Sequence, residues 1–288
     1  MDGRRRFLPA TSLDAVKWLR SVVLDDVTNP ESKRTYCRGI DRFLNWLQSQ
    51  GRSTGFTKAT VEAFKNHLIE SRPDKSHRPD SRLSPSTVNM YLTAIRRLAA
   101  EAAESGVIAP EVASAIIGVK GLRREAVNGT RLTFLQAEEF IALPNAETLK
   151  GKRDRALLAV LIGCGLRRSE AAALTVEHLQ RQEGRWVIRE IVGKERKVRS
   201  VPIPWRVKAA IDDWTTAATI RTGRVFRAVN KGDRVVGHGM TAQSIFETVR
   251  KSAVQTSEFE HVVPDDLRRF YERWSRKDPS ILAQIRVY

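Results

Sequence analysis

The 288-residue chain carries 50 Lys and Arg against 33 Asp and Glu, a formal net charge of +17, with 41% hydrophobic and 29% charged residues. That composition excludes a disordered or collagen-like chain, and the length suits one large domain or two ordinary ones. The longest nearly apolar run, Ala156 to Leu166, is too short to cross a bilayer, no signal-peptide core follows Arg4-Arg5-Arg6, and Cys37 and Cys164 lack metal-ligand spacing. A cytoplasmic protein with reduced thiols, no metal, no cofactor and no membrane partner is therefore expected.

In chain order, the first half reads as helices. Leu13, Val16, Leu19 and Val23 mark the first, over Ser12 to Leu24. Asn29-Pro30 supplies an N-cap and a first-turn proline for the second, which carries Tyr36, Ile40, Phe43, Leu44 and Leu47 on one stripe and stops at Gly51. A third runs from Thr57 to about Ser71. After a polar loop from Arg72 to Arg82, Ser84-Pro85 opens a fourth, with Val88, Tyr91, Leu92, Ile95, Leu98 and Ala102 at helical spacing. Pro110 opens a short fifth to Ile117. These predict a helical bundle over residues 1–120, and the basic stretch 121–131, without periodicity, predicts a linker. The second half, 132–288, is mixed. Helices are expected at Phe134–Leu143, Lys152–Ile162, Ser169–Leu174, Pro204–Ile220, Thr241–Ala253, Pro264–Lys277 and from Pro279 onward. Arg185–Val192 and Lys197–Ile203 flank Gly193-Lys194-Glu195-Arg196 and read as a hairpin, and Phe226 as a short strand. The fold class is thus mostly α with a small β-hairpin or sheet (α+β), a helical bundle followed by a mixed α/β domain.

The charge asks for a polyanion. There are 21 basic against 14 acidic residues up to Asn128 and 29 against 19 beyond it, so the basicity belongs to both halves and predicts a nucleic acid held by two modules. No phosphate-binding Gly-rich loop, dinucleotide fingerprint, HExxH or CxxC is present. What stands out is a set of separated cations. Arg167 sits where a buried helix gives way to another, beside free backbone N–H groups that suit a phosphate. Lys194 sits at a hairpin tip and Arg268-Arg269 on the helix after Pro264. Taken alone, the Arg167 box also fits a surface arginine beside a cap, and Lys194 and Arg268-Arg269 read more simply as a solubilising hairpin lysine and a solvated helix face.

Together these segments resemble the tyrosine recombinase, or phage integrase, family. Thr35-Tyr36 through Leu47 and Leu83-Ser84-Pro85-Ser86-Thr87-Val88 are similar to helices of its N-terminal core-binding domain, and Leu132-Thr133 with Glu138-Glu139 to the opening of its catalytic domain. Gly165-Leu166-Arg167-Arg168-Ser169-Glu170 resembles its first arginine box, Gly193-Lys194 with Lys197, Arg199 and Val201-Pro202 its catalytic-lysine hairpin, and Pro264-Asp265-Asp266-Leu267-Arg268-Arg269 its second arginine box. The resemblance implies a two-domain clamp on duplex DNA, assembled with other recombinase protomers, and strand exchange through a 3′-phosphotyrosine without metal or ATP. It implies that Arg167 and Arg268 hold the non-bridging phosphate oxygens, that Lys194 protonates the leaving 5′-oxygen, and that Glu170 is a structural partner of its box. Candidates for DNA contact are Ser86, Thr87, Asn89, Arg96 and Arg97 on the fourth helix, Arg123 and Arg124 in the linker, and Lys197 and Arg199 in the hairpin.

Two departures qualify that expectation. The family's second box reads His-x-x-Arg, and the His position is Asp265, a carboxylate that repels phosphate when ionised. The sequence also ends before the family's Leu-Gly-His turn and nucleophile helix, and none of Tyr36, Tyr91, Tyr271 or Tyr288 reads as a tyrosine placed among the cations. The expected function is a DNA-binding site-specific recombinase or integrase of a mobile element that does not cleave by itself. The alternative is an inactive relative that occupies and regulates recombination sites.

Overall fold

The computed structural model describes residues 13–51, 55–71, 82–123, 129–192, 198–277 and 284–287. The chain divides into two compact units, Met1–Ala126 and Val127–Tyr288. The first contains α1 (Leu13–Asp26), α2 (Pro30–Ser49), α3 (Lys58–Glu70), α4 (Pro85–Glu104) and α5 (Pro110–Ile117). Local chemistry sets several of these starts. Asn29 Oδ1 accepts from the N–H groups of Glu31 and Ser32 at 2.9 and 3.1 Å, and Pro30 fills the next position without wasting a donor. Ser84 Oγ caps α4 through Thr87 N at 3.2 Å, ahead of Pro85. One face of each helix then enters a single core: Ile40, Phe43, Leu44 and Leu47 from α2, Val61, Phe64 and Leu68 from α3, and Val88, Leu92, Ile95 and Leu98 from α4. Phe43 anchors it, with ring centroids of Phe56 and Phe64 at 5.5 and 5.1 Å.

The second unit is built on α7 (Leu149–Gly163), in which every residue from Ala156 to Gly163 is buried. A helix apolar on all sides must be surrounded. It is packed by α6 (Phe134–Ala142), α8 (Arg168–Ala173), α9 (Trp205–Ala217) and α11 (Pro264–Lys277), with α10 (Ala242–Ala253) lying against α8. Gly163 leaves room for α9, since a Cβ there would stand 2.6 Å from Val207 Cγ2. An antiparallel sheet in the order β1 (Leu179–Gln182), β2 (Arg185–Val192), β3 (Val198–Pro202) buries Ile188, Ile191 and Val201. Between Ile188 and Ile191 the β2–β3 register shifts, with Glu190 at φ 58°, which is the geometry of a bulge. A second small sheet pairs β4 (Ala228–Val229) with β5 (Val235–Val236). The α+β class is as the sequence predicts. Among the described residues no helix is long and apolar enough to cross a membrane.

Three local expectations need correction. Phe226 is not in a strand. It is a buried side chain ahead of β4, and its carbonyl accepts from Met240 N at 2.9 Å. Helix α7 starts at Leu149, before Lys152, because Asp233 receives Leu149 N and Lys150 N at 2.7 and 2.9 Å while Thr148 caps Gly151 N at 3.0 Å. A carboxylate there also meets the positive end of the helix dipole. Finally, the helix expected from Pro279 onward does not extend through 285–287, which lie in no regular element. The buried Glu138 carboxylate draws off the Arg286 backbone N–H at 2.7 Å and its guanidinium at 3.1 Å, while Ile285 is fully buried.

A candidate phosphate site around Glu170

The first arginine box follows α7 through a tight reversal. Gly165 adopts φ 60°, a left-handed conformation, and the Tyr271 ring of α11 lies where a Cβ would stand. Leu166 is buried and anchors the turn. Arg167, with φ −68° and ψ 152°, is the N-cap of α8. Three residues on, Glu170 folds back so that Oε2 accepts from Arg167 N at 2.7 Å and Oε1 from Arg167 Nη1 at 3.0 Å. The same carboxylate receives Arg199 from β3 as a two-pronged fork, Nη1 to Oε1 at 2.9 Å and Nη2 to Oε2 at 2.8 Å. Arg268 of α11 stands next to this group without joining it. Its Nη1 donates to the Gly165 carbonyl at 2.8 Å and stays 3.9 Å from Glu170 Oε2, while its Nε pairs with Glu272 at 2.9 Å.

Arg167, Arg199 and Arg268, from three separate segments, thus gather around the Glu170 carboxylate, whose side chain is only 3% exposed. Burial alone pushes Glu170 upward, but the hydrogen bonds from Arg199 and Arg167 outweigh it and hold the carboxyl below its ordinary range. The Arg199 guanidinium is pushed up in return, first by its hydrogen bond to Glu170. Three guanidiniums face the buried Glu170 and the half-exposed Glu272, so the centre keeps net positive charge. Arg167, Arg199 and Arg268 all retain exposed surface, at 41%, 34% and 23%. Cys164, buried beside this turn, has its thiol pushed up to about 12 by burial and offers no thiolate at neutral pH.

Against the sequence expectations, Arg167, Arg199 and Arg268 are brought together, and Lys194 and Lys197 lie outside the described residues, as does Arg124. Asp265 is exposed in the first turn of α11, one turn before Arg268. Its neighbour Asp266 is the buried one, accepting from Val263 N at 3.1 Å and Arg269 Nη1 at 2.6 Å. Tyr271, on the second-box helix, rests its ring on Gly165 within the fields of Arg199 and Arg268. Residues 268 and 271 share a helix face. Burial pushes this phenol above its ordinary range, and the two arginines only partly counter that.

In the first unit, Ser86 is exposed and the Thr87 hydroxyl meets Ser84 Oγ at 2.9 Å. Asn89 clips Leu122 in both directions, accepting its N–H at 2.7 Å and donating to its carbonyl at 2.8 Å. Arg96 donates to the Val119 carbonyl and Arg97 pairs with Asp26. These three candidates therefore hold α4 to its neighbours, while Arg123 is exposed. Sequence reasoning passed over α2, where Arg34, Arg38, Arg42 and Asn45 line an open groove beside Cys37 and Asp41. Among the described residues there is no cluster of His, Cys, Asp and Glu able to hold a metal ion.

Comparison with known proteins defines the class. A profile described as the phage integrase family matches residues 130–276. The chain belongs to that family, the tyrosine recombinases. It is 26% identical over 254 residues to a tyrosine recombinase of Synechococcus elongatus, covering 86% of this chain and 76% of that protein. It is 24% identical over 270 residues to tyrosine recombinase XerD of Ralstonia nicotianae, covering 92% and 81%. In fold it is similar to the Tn1549 transposon integrase solved with transposon right end DNA, at TM-score 0.62, 17% identity and 98% and 91% coverage. It is also similar to a lambda integrase dimer bound to a core site, at TM-score 0.62, 11% identity and 96% and 94% coverage.

Proposed function

We propose that this chain is a DNA-binding site-specific recombinase or integrase of a mobile element, acting in the cytoplasm. In this reading Arg167 and Arg268 are the groups that take the non-bridging oxygens of a backbone phosphate. The observation that carries it is the convergence of these two arginines, 101 positions apart in sequence, at one positively charged centre built on Glu170. Planar forks that are always charged suit the trigonal face of a phosphate under attack, where charge accumulates more than in the ground state. Lys194 is assigned the proton transfer to the departing 5′-oxygen, by its place in the family motif. Similar structures bound to DNA, among them a lambda integrase dimer on a core site and a lambda integrase tetramer on a Holliday junction, support assembly of this chain with further protomers on duplex DNA.

The same reading includes poor cleavage by the chain alone. Asp265 puts a carboxylate at the family's imidazole position, one turn from Arg268, and the Tyr271 phenol is raised by burial at the one described tyrosine beside the cations. Two measurements test the proposal. Duplex binding by anisotropy should weaken steeply with salt and weaken further in R167A/R268A. A suicide duplex should yield no covalent adduct. Salt-independent binding would overturn the DNA reading, and a trapped adduct would overturn the binding-only part.

A further inference from the structure

We propose that Arg199 is a positioning residue that keeps Arg268 free for phosphate by filling the acceptor sites of Glu170. This rests on the phosphate-site reading above and goes beyond it, because Arg199 then acts on the site without touching DNA. A carboxylate offers about four acceptor positions. Here all four are taken: Oε1 by Arg167 Nη1 and Arg199 Nη1, and Oε2 by Arg167 N and Arg199 Nη2, at 3.0, 2.9, 2.7 and 2.8 Å. Arg268 Nη1, 3.9 Å away, is left to the neutral carbonyl of Gly165, and only its Nε is paired, with the half-exposed Glu272 at 2.9 Å. That arrangement is a competition that Arg199 wins. Without it, two acceptor positions open on a buried carboxylate, and the nearest further cation among the described residues is Arg268. An under-satisfied buried charge is costly, and a short turn of Arg268 onto Glu170 relieves it. The Nη groups meant for phosphate are then spent on a buried ion pair.

Lysine in place of Arg199 returns the charge but not the two parallel donors, so it fills the carboxylate only in part. Removing the carboxylate's charge together with the arginine removes the pull on Arg268 and leaves the site's net charge unchanged. This separates positioning from a plain loss of positive charge.

The test is a titration of the full chain with inorganic phosphate, read from arginine Nε–Hε NMR signals, with Arg268 assigned by its loss in R268K. Wild type should show a saturable shift. R199A should bind roughly tenfold more weakly, the scale of one charge-assisted hydrogen bond, with R199K between. E170Q/R199A should return to within about twofold of wild type. A crystal structure of R199A should show Arg268 within hydrogen-bond distance of Glu170. If R199A proves unstable, R199K carries both comparisons. The proposal is overturned if R199A titrates as wild type, if the double variant is no better than R199A, or if Arg268 keeps its 3.9 Å separation in the variant. Wild type that shows no phosphate response would instead refute the phosphate-site reading, while the crystallographic arm would still decide the geometry of Arg268.

Discussion

Substituting Gly165 by alanine tests the turn on which the whole centre depends. At φ 60° an L-residue meets its own carbonyl, a penalty of about 1–2 kcal/mol. The new methyl would also collide with three carbons of the Tyr271 ring. Tyr271 cannot withdraw freely, because Phe270 on the same helix is buried and Arg268 holds the Gly165 carbonyl from the preceding turn. Overpacking of that kind adds about 1–3 kcal/mol. The sum, roughly 2–5 kcal/mol, lowers the melting temperature of a unit of this size by roughly 5–15 °C. Calorimetry of G165A in wild-type and Y271A backgrounds separates the contributions. With the ring gone, only the left-handed penalty of about 1–2 kcal/mol should remain. A G165A cost below about 0.5 kcal/mol, the range of an inert surface change, would refute the argument. So would an equal cost in both backgrounds.

Three further outcomes follow from the same geometry. Glu170 has a depressed folded-state pKa, so its ionised form stabilises the protein above the unfolded carboxyl value and that stability is lost as pH falls through the folded value. Urea unfolding between pH 3 and 7 should therefore show a steeper acid limb in wild type than in E170Q, and identical limbs would contradict it. D266A should cost about 1–2 kcal/mol in denaturant unfolding, because it removes the buried acceptor of Val263 N, while the Arg269 side chain, 54% exposed, is left to solvent. D265H, which removes an exposed negative charge one turn from Arg268, should tighten duplex binding about two- to fivefold at low salt, with the gain fading near 0.5 M as screening shortens its reach. Unchanged low-salt affinity would place Asp265 away from the DNA.

Where a signal is local, the sequence announced the structure. Asn29-Pro30 and Ser84-Pro85 carry their caps within three residues, and the apolar stripes of α2 and α4 have no alternative period, so both helices lie where expected. Where the cause comes from far along the chain, it was hidden. Strand β1 reads Leu-Gln-Arg-Gln, with no β-branched residue, and forms because β2 pairs with it across Glu183-Gly184, both at positive φ. The start of α7 is set by Asp233 and the path of 285–287 by Glu138, each a long-range carboxylate. The candidate site divides the same way. Arg167, Glu170 and Arg268 stand in recognisable boxes, whereas Arg199 reads from sequence as one more hairpin cation. Only its approach to Glu170 gives it a different task. Asn89, Arg96 and Arg97 have the composition of DNA contacts, yet their partners are backbone carbonyls and Asp26.

A carboxylate at the heart of a phosphate site looks self-defeating until the repulsion among the cations is counted. Guanidiniums held side by side in a partly buried centre repel one another, and at low effective dielectric that repulsion is several times its value in water. Glu170 offsets it, and because its side chain is only 3% exposed it does so without presenting its own charge to an incoming anion. Its four donors come from only two residues, Arg167 and Arg199, so the third arginine is left with hydrogen-bonding capacity toward solvent. Replacing Glu170 by a neutral residue should therefore weaken phosphate binding even though it raises the net positive charge of the site. A gain in affinity on E170Q would show that charge, and not the placement of the forks, governs this centre.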